Sequence, residues 1–190
     1  PFDKIKDTDY QPAIEEGIKL HAAEIRKIAD NPEAATFENT IEAMERSGAM
    51  LNRVSRVFFS VAQANNNPTL QRIQADVAPL LANHSDEIFL DPKLFARVKA
   101  IHDARETLNF DPQQLRLVEH DYEQFVRAGA ELSDADKASL RELNVEESKL
   151  STDFSEKLLA ATKEGALIVD DKAKLAGFSD RAGDHASDGR

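Results

Sequence analysis

Three helix starts along this chain repeat one device, an Asn or Asp directly before a proline: Asn67-Pro68, Asp91-Pro92 and Asp111-Pro112. Each pair is a helix start. The short polar side chain accepts hydrogen bonds from first-turn N–H groups. Proline at the first helical position gives up only an N–H that has no helical partner. Glycine is scarce, with seven in 190 residues, and apolar residues recur with a helical period almost throughout. Such a chain has little choice but to fold as successive helices.

Six helices are predicted. The first spans about Asp9–Ala29, with Ile14, Ile18, His21, Ile25 and Ile28 in one stripe. The second spans about Thr36–Asn65, with Thr36 as N-cap and a stripe of Phe37, Ile41, Met44, Gly48, Leu51, Val54, Phe58 and Val61. Gly48 falls where a larger residue is expected. A mid-helix glycine costs about 1 kcal/mol, so close approach of a neighbouring backbone or a local kink must account for it. The third helix follows Asn67 and contains Pro79, which predicts a bend near Ala75–Pro79. The fourth carries Leu94, Val98, Ile101 and Leu108, and the fifth carries Leu115, Val118, Tyr122 and Phe125 and stops near Gly129. Ser133 with Asp136 opens the sixth, which runs to about Lys163.

The expected fold is therefore all-α, an antiparallel helical bundle of about six helices over residues 1–164. Residues 165–178 read as the start of a next segment. Within it Ala166-Leu167-Ile168-Val169 is a short strand, whose partner must come from outside this chain or from another copy. Residues 179–190 lack any period and read as a disordered or non-native tail.

A net charge of −11 argues against nucleic acid and anionic membrane surfaces as partners. It reads as a solubility device. The absence of cysteine excludes disulfides, thiolate metal sites and Cys nucleophiles. No apolar run is long enough to predict a membrane span. The chain opens on Pro1 rather than Met, so residues are expected upstream, where a signal peptide could lie.

Chemistry-bearing motifs are sparse. A helical zinc-hydrolase site needs two imidazoles one turn apart beside a carboxylate. None of the five histidines is followed by Glu, and no two are four residues apart. His84 with Glu87 and His120 with Glu123 stand three apart, a spacing used in carboxylate-bridged metal bundles. The remaining pattern of such a site is missing, so each is read as a helix-surface or core-edge histidine. His21 and His84 lie in apolar stripes and are expected as buried neutral imidazoles bonded to a carbonyl or carboxylate. Glu146-Glu147 and Asp170-Asp171 read as solvated faces. Phe58-Phe59 reads as core packing, with a peptide-contacting wall as the functional alternative. Neither a Gly-x-Ser-x-Gly elbow nor a phosphate loop occurs. No catalytic, cofactor-binding or metal-ligating residue is assigned.

Several segments together resemble a known family. They are Phe2-Asp3-Lys4-Ile5, Tyr10 to Gly17, and above all Thr36-Phe37-Glu38-Asn39-Thr40-Ile41 with Glu45-Arg46-Ser47-Gly48. Ala78-Pro79-Leu80 with His84, Leu94-Phe95, Phe125 to Ala130 and Leu175 to Phe178 extend the match to about Asp180. The chain resembles the N-terminal region of the bacterial peptidyl-dipeptidases (dipeptidyl carboxypeptidases), in the thimet oligopeptidase and oligopeptidase A family of zinc metallopeptidases. The resemblance implies a largely helical, neurolysin-like peptidase in two parts about a deep channel. One zinc and the catalytic residues are expected in the later part. No such residue has a counterpart here, so this chain alone is expected to be inactive.

Its implied role is a channel wall that admits oligopeptides, with the catalytic half as partner. Exposed apolar faces predict self-association, with Ala166–Val169 a contact. The cytoplasm is the expected compartment and the periplasm the alternative. The competing readings are a free-standing helical interaction module and a helical bundle with its own metal centre.

Overall fold

The computed structural model describes residues 4–65 and 67–165. The chain forms two compact units, Pro1–Phe154 and Ser155–Arg190. The first is an all-α bundle. A single 3₁₀ turn, Asp7–Asp9, leads into α1 (Tyr10–Ala29). A wide π-type segment, Phe37–Glu42, continues into α2 (Ala43–Arg46). Then come α3 (Ala49–Ala64), α4 (Pro68–Phe89), α5 (Pro92–Asp103), α6 (Pro112–Arg127) and α7 (Asp134–Glu164). Within the second unit, the described residues are the end of α7 and Gly165. The expected strand Ala166–Val169 and the tail 179–190 lie outside the described residues.

The Asx-Pro starts work as the sequence predicts. Asn67 Oδ1 accepts from the N–H groups of Thr69 and Leu70, Asp91 Oδ1 from Lys93 and Leu94, and Asp111 Oδ1 from Gln113 and Gln114, all within 2.7–3.0 Å. Ser133 Oγ accepts from Asp136 N–H at 3.2 Å to open α7. α6 ends at Gly129 (φ +96°), where Gly129 N–H bonds to Val126 O and Ala130 N–H to Phe125 O.

Two expectations need correction. The helix predicted over Thr36–Asn65 is divided at Ser47-Gly48. Gly48 is left-handed (φ +67°), which ends α2 and starts α3 in a new direction. A Cβ at Gly48 would also lie 2.9–3.0 Å from the His21 ring. Both the kink and a close approach are therefore present, but the close neighbour is a side chain. The tight backbone approach occurs at Gly17, whose Cβ would lie 3.0 Å from Leu51 Cα. The fourth predicted helix stops at Asp103, short of Leu108. Arg105 Nη1 donates to His102 O and Thr107 Oγ1 to Ala104 O, taking up helix-end carbonyls. α4 runs unbroken through Pro79.

Two apolar cores form, and α1 serves both. Its first half joins α3 and α4 through Tyr10, Ile14, Leu51, Phe58, Leu70, Ile73 and Val77. Phe58 is fully buried and packs on both Tyr10 and Phe59, so this aromatic pair is core packing. The second half of α1 joins the Phe37–Glu42 segment, α5 and α6 through Ile25, Ile28, Ile41, Leu94, Val98, Ile101, Val118 and Phe125. Each large side chain buried this way contributes about 1.5–3 kcal/mol. Aromatic rings run through this second core, from His102 stacked on Tyr122 at 3.8 Å to Phe95, Phe125 and Phe89. His21 stands in the α1 stripe between Ile14 and Ile25, at the seam of the two cores.

Candidate functional site

Two polar clusters interrupt the apolar interior, both in the first unit. The first surrounds Arg97. Leu94, Val98 and Ile101 of α5 face the core, and Arg97, one turn after Leu94, shares their face and is buried. Its guanidinium donates to four neutral oxygens. Nη1 reaches Asn31 O and Glu33 O at 2.9 Å each, Nη2 reaches Asn39 Oδ1 at 2.8 Å, and Nε reaches Thr40 Oγ1 at 3.2 Å. A buried charge needs such bonds to offset lost hydration.

Asn39 is the hub of this cluster. Its Oδ1 also accepts from Thr36 N–H and from Thr40 Oγ1, and its Nδ2 donates to Ala34 O. Thr36 Oγ1 accepts in return from Asn39 N–H. The Thr36–Ile41 block thus caps its helix, encloses Arg97 and places Ile41, fully buried, in the core. Sequence reasoning quoted the block without finding its partner. The available signal was a lone arginine on the Leu94-Val98-Ile101 face.

The second cluster lies at the seam. His84 Nε2 and His21 Nδ1 are 2.9 Å apart, and His21 Nε2 lies 3.0 Å from Ser47 Oγ. Ser47 Oγ donates to Met44 O at 2.6 Å, and a carbonyl can only accept. His21 Nε2–H therefore donates to Ser47 Oγ. In neutral His21 this leaves Nδ1 as the acceptor for His84 Nε2–H. His84 Nδ1 is then a bare buried acceptor, and it has no partner among the described residues.

His84 is buried as expected and His21 is half-buried, but the two bond to each other and to a serine rather than to a carbonyl or carboxylate. The reason is the seam: α1, the α2–α3 corner and α4 bring three polar groups together between apolar walls. Burial, and secondarily the His21 ring, pushes His84 down to about 4. Burial also lowers His21, although nearby Glu24 opposes the shift. Glu24 Oε2 accepts from Gly48 N–H at 2.7 Å and so holds the corner from α1.

Beside the pair lies a cleft of about 380 Å³. Its polar lining includes His21, Ser47, Glu45, His120 and Asp121, and its apolar lining includes Ile25, Met44, Ile88, Phe89 and Phe125. Asp121 is 8% exposed, and its Oδ2 has no hydrogen-bond partner among the described residues. Burial first, then the charge of Glu45, raises its carboxyl to about 6, while His120 acts in the opposite sense.

Neither of the paired spacings noted in the sequence gathers a metal-ligand cluster among the described residues. His84 is engaged with His21, and Glu123 pairs with Arg127 rather than His120. Among the described residues no three His, Cys, Asp or Glu side chains form a group able to hold a metal ion. The donors present do not fit the zinc that the family resemblance implies.

No family model matches the chain. Individual proteins do. The chain is 46% identical over 180 residues to "Dipeptidyl carboxypeptidase" of Escherichia coli (strain K12), covering 95% of this chain and 26% of that protein. It is 46% identical to the protein of the same name from Salmonella typhimurium, with 94% and 26% covered. It is 25% identical to "Oligopeptidase A" of Haemophilus influenzae, with 96% and 27% covered. The chain thus spans about a quarter of the length of the curated relatives it matches. In sequence the chain matches dipeptidyl carboxypeptidase and, more distantly, oligopeptidase A, which is consistent with an N-terminal region of that family.

Proposed function

We propose that this chain is the N-terminal helical part of a zinc peptidase that releases C-terminal dipeptides from oligopeptides. Its helices form one wall of the substrate channel and limit entry to unfolded peptides. The observation that carries this reading is 46% identity to dipeptidyl carboxypeptidase over 95% of the chain. The chain's own residues serve as scaffold. Residues outside the chain would hold the zinc and carry out the hydrolysis. Cytoplasm is the proposed compartment. No helix among the described residues is long and apolar enough to cross a membrane.

The partner in this reading is the remaining, larger part of the protein. Leu143, Leu150 and Phe154 of α7 follow a helical spacing of seven and four, and each is more than half exposed. Apolar side chains so arranged suit burial against a further part of the structure.

Photo-crosslinking tests the wall. An oligopeptide carrying a photoreactive phenylalanine is irradiated with the full-length protein, and labelled sites are mapped by mass spectrometry. Label within residues 4–165 is expected. Label confined to the downstream part would refute the wall assignment. Hydrolysis of a short peptide by this chain alone, blocked by a chelator and restored by zinc, would refute the scaffold assignment.

A further inference from the structure

We propose that the cleft between α1, α2, α4 and α6 is a binding site for one organic cation on an apolar stem, the alkylguanidinium or alkylammonium group of an arginine or lysine side chain. The carboxyl of Asp121 is more than nine-tenths buried, lines the cleft and leaves Oδ2 without a hydrogen-bond donor among the described residues. A buried acceptor in that state is costly, and a charged N–H donor is its strongest complement. Glu45 enters the same cleft from α2, and neither acid forms an ion pair among the described residues.

The facing groups leave room for a positive charge. His21 of α1 donates through Nε2 to Ser47, and burial lowers its tendency to protonate, with Glu24 opposing. Ser47 spends its proton on Met44 O, so its remaining lone pair adds acceptor character. On α6, Gln124 offers a neutral amide, and His120 beside Asp121 can become cationic. The apolar part of the cleft suits a carbon stem. Met44 and Ile88 are aliphatic, and Phe89 and Phe125, an edge-to-face pair 5.1 Å apart, complete the apolar lining. A volume of about 380 Å³ admits one such side chain. Among the described residues no metal-ligand set converges there, which argues for an organic rather than a metal cation.

The test is a titration of this chain with n-butylguanidinium, followed by the imidazole resonances of His21 and His120. n-Butanol and butyrate serve as neutral and anionic controls of similar length. Saturable shifts are expected with the cation and not with the controls. Asp121→Asn should weaken binding by about tenfold, the range for removing one charged hydrogen-bond partner. Glu45→Gln, a change at an exposed position, should weaken it about threefold without disturbing the fold. Repeating the titration on the full-length protein separates two sources of the cation. Loss of binding there means that a downstream arginine or lysine fills the cleft, and retention means that it is open to a peptide. An equal response to butanol, no saturable shift, or undiminished binding by both D121N and E45Q would overturn the proposal.

Discussion

Between about pH 4 and pH 6 the stability of this chain should change little, because two buried groups pull against each other. Burial holds His84 near 4 in the folded chain against an ordinary 6.5. Across that interval the unfolded chain binds the extra proton, so stability rises with pH and is lost as pH falls through the folded value. The gap is equivalent to about 3 kcal/mol. Asp121 behaves oppositely, because its folded value is about 6 against an ordinary 3.8. Its contribution is fully present below the unfolded value and is lost as pH rises through the folded one. That gap also amounts to about 3 kcal/mol.

Substitution should therefore tilt the profile. In D121N the His84 dependence is no longer offset by Asp121, and stability should climb by about 3 kcal/mol from pH 4 to pH 6 relative to the parent. In H84Q, whose amide N–H can still reach His21 Nδ1, stability should fall by a similar amount over the same range. His21 and Asp86 are also shifted by burial, but both remain in D121N, so its difference from the parent isolates Asp121. Urea unfolding followed by helical ellipticity at several pH values gives each profile. Parallel curves for the three proteins would refute the assignment of opposed buried groups.

Removing the guanidinium in Arg97→Met should cost about 3 kcal/mol, since four acceptors lose a charged donor and water regains only some of them. Arg97→Lys should fall between, because an ammonium cannot span the same oxygens, and urea midpoints would measure both. Gly48→Ala should cost about 2 kcal/mol from the left-handed backbone plus the His21 contact, and a loss under about 0.5 kcal/mol in thermal melts would count against the corner. Asp111→Ala should cost about 1 kcal/mol as a lost N-cap, with weakened amide-exchange protection confined to the first turn of α6.

Much of the fold was legible because its signals are local. Asn67, Asp91, Asp111 and Ser133 cap helices at distances of two or three residues, and Gly129 ends α6 through neighbouring carbonyls. Gly48 was recognised as anomalous, but its outcome depended on the His21 ring 27 residues away. The polar interior was less legible for the same reason. Arg97 finds its oxygens 57–66 residues back, and His84 finds His21 at a separation of 63. Periodicity gives the face on which each residue lies, not which polar group meets it. Asp121 was assigned no role from the sequence, because its burial comes from helices distant in sequence.

The bond between Ser47 and Met44 fixes more than a corner. Because that carbonyl cannot donate, it sets a one-way sense for every proton from His84 through His21 to the serine. Ser47→Ala would remove the anchor, and each ring could then exchange tautomers in step with the other. Nitrogen NMR would show that change as averaged imidazole signals in place of two distinct ring forms.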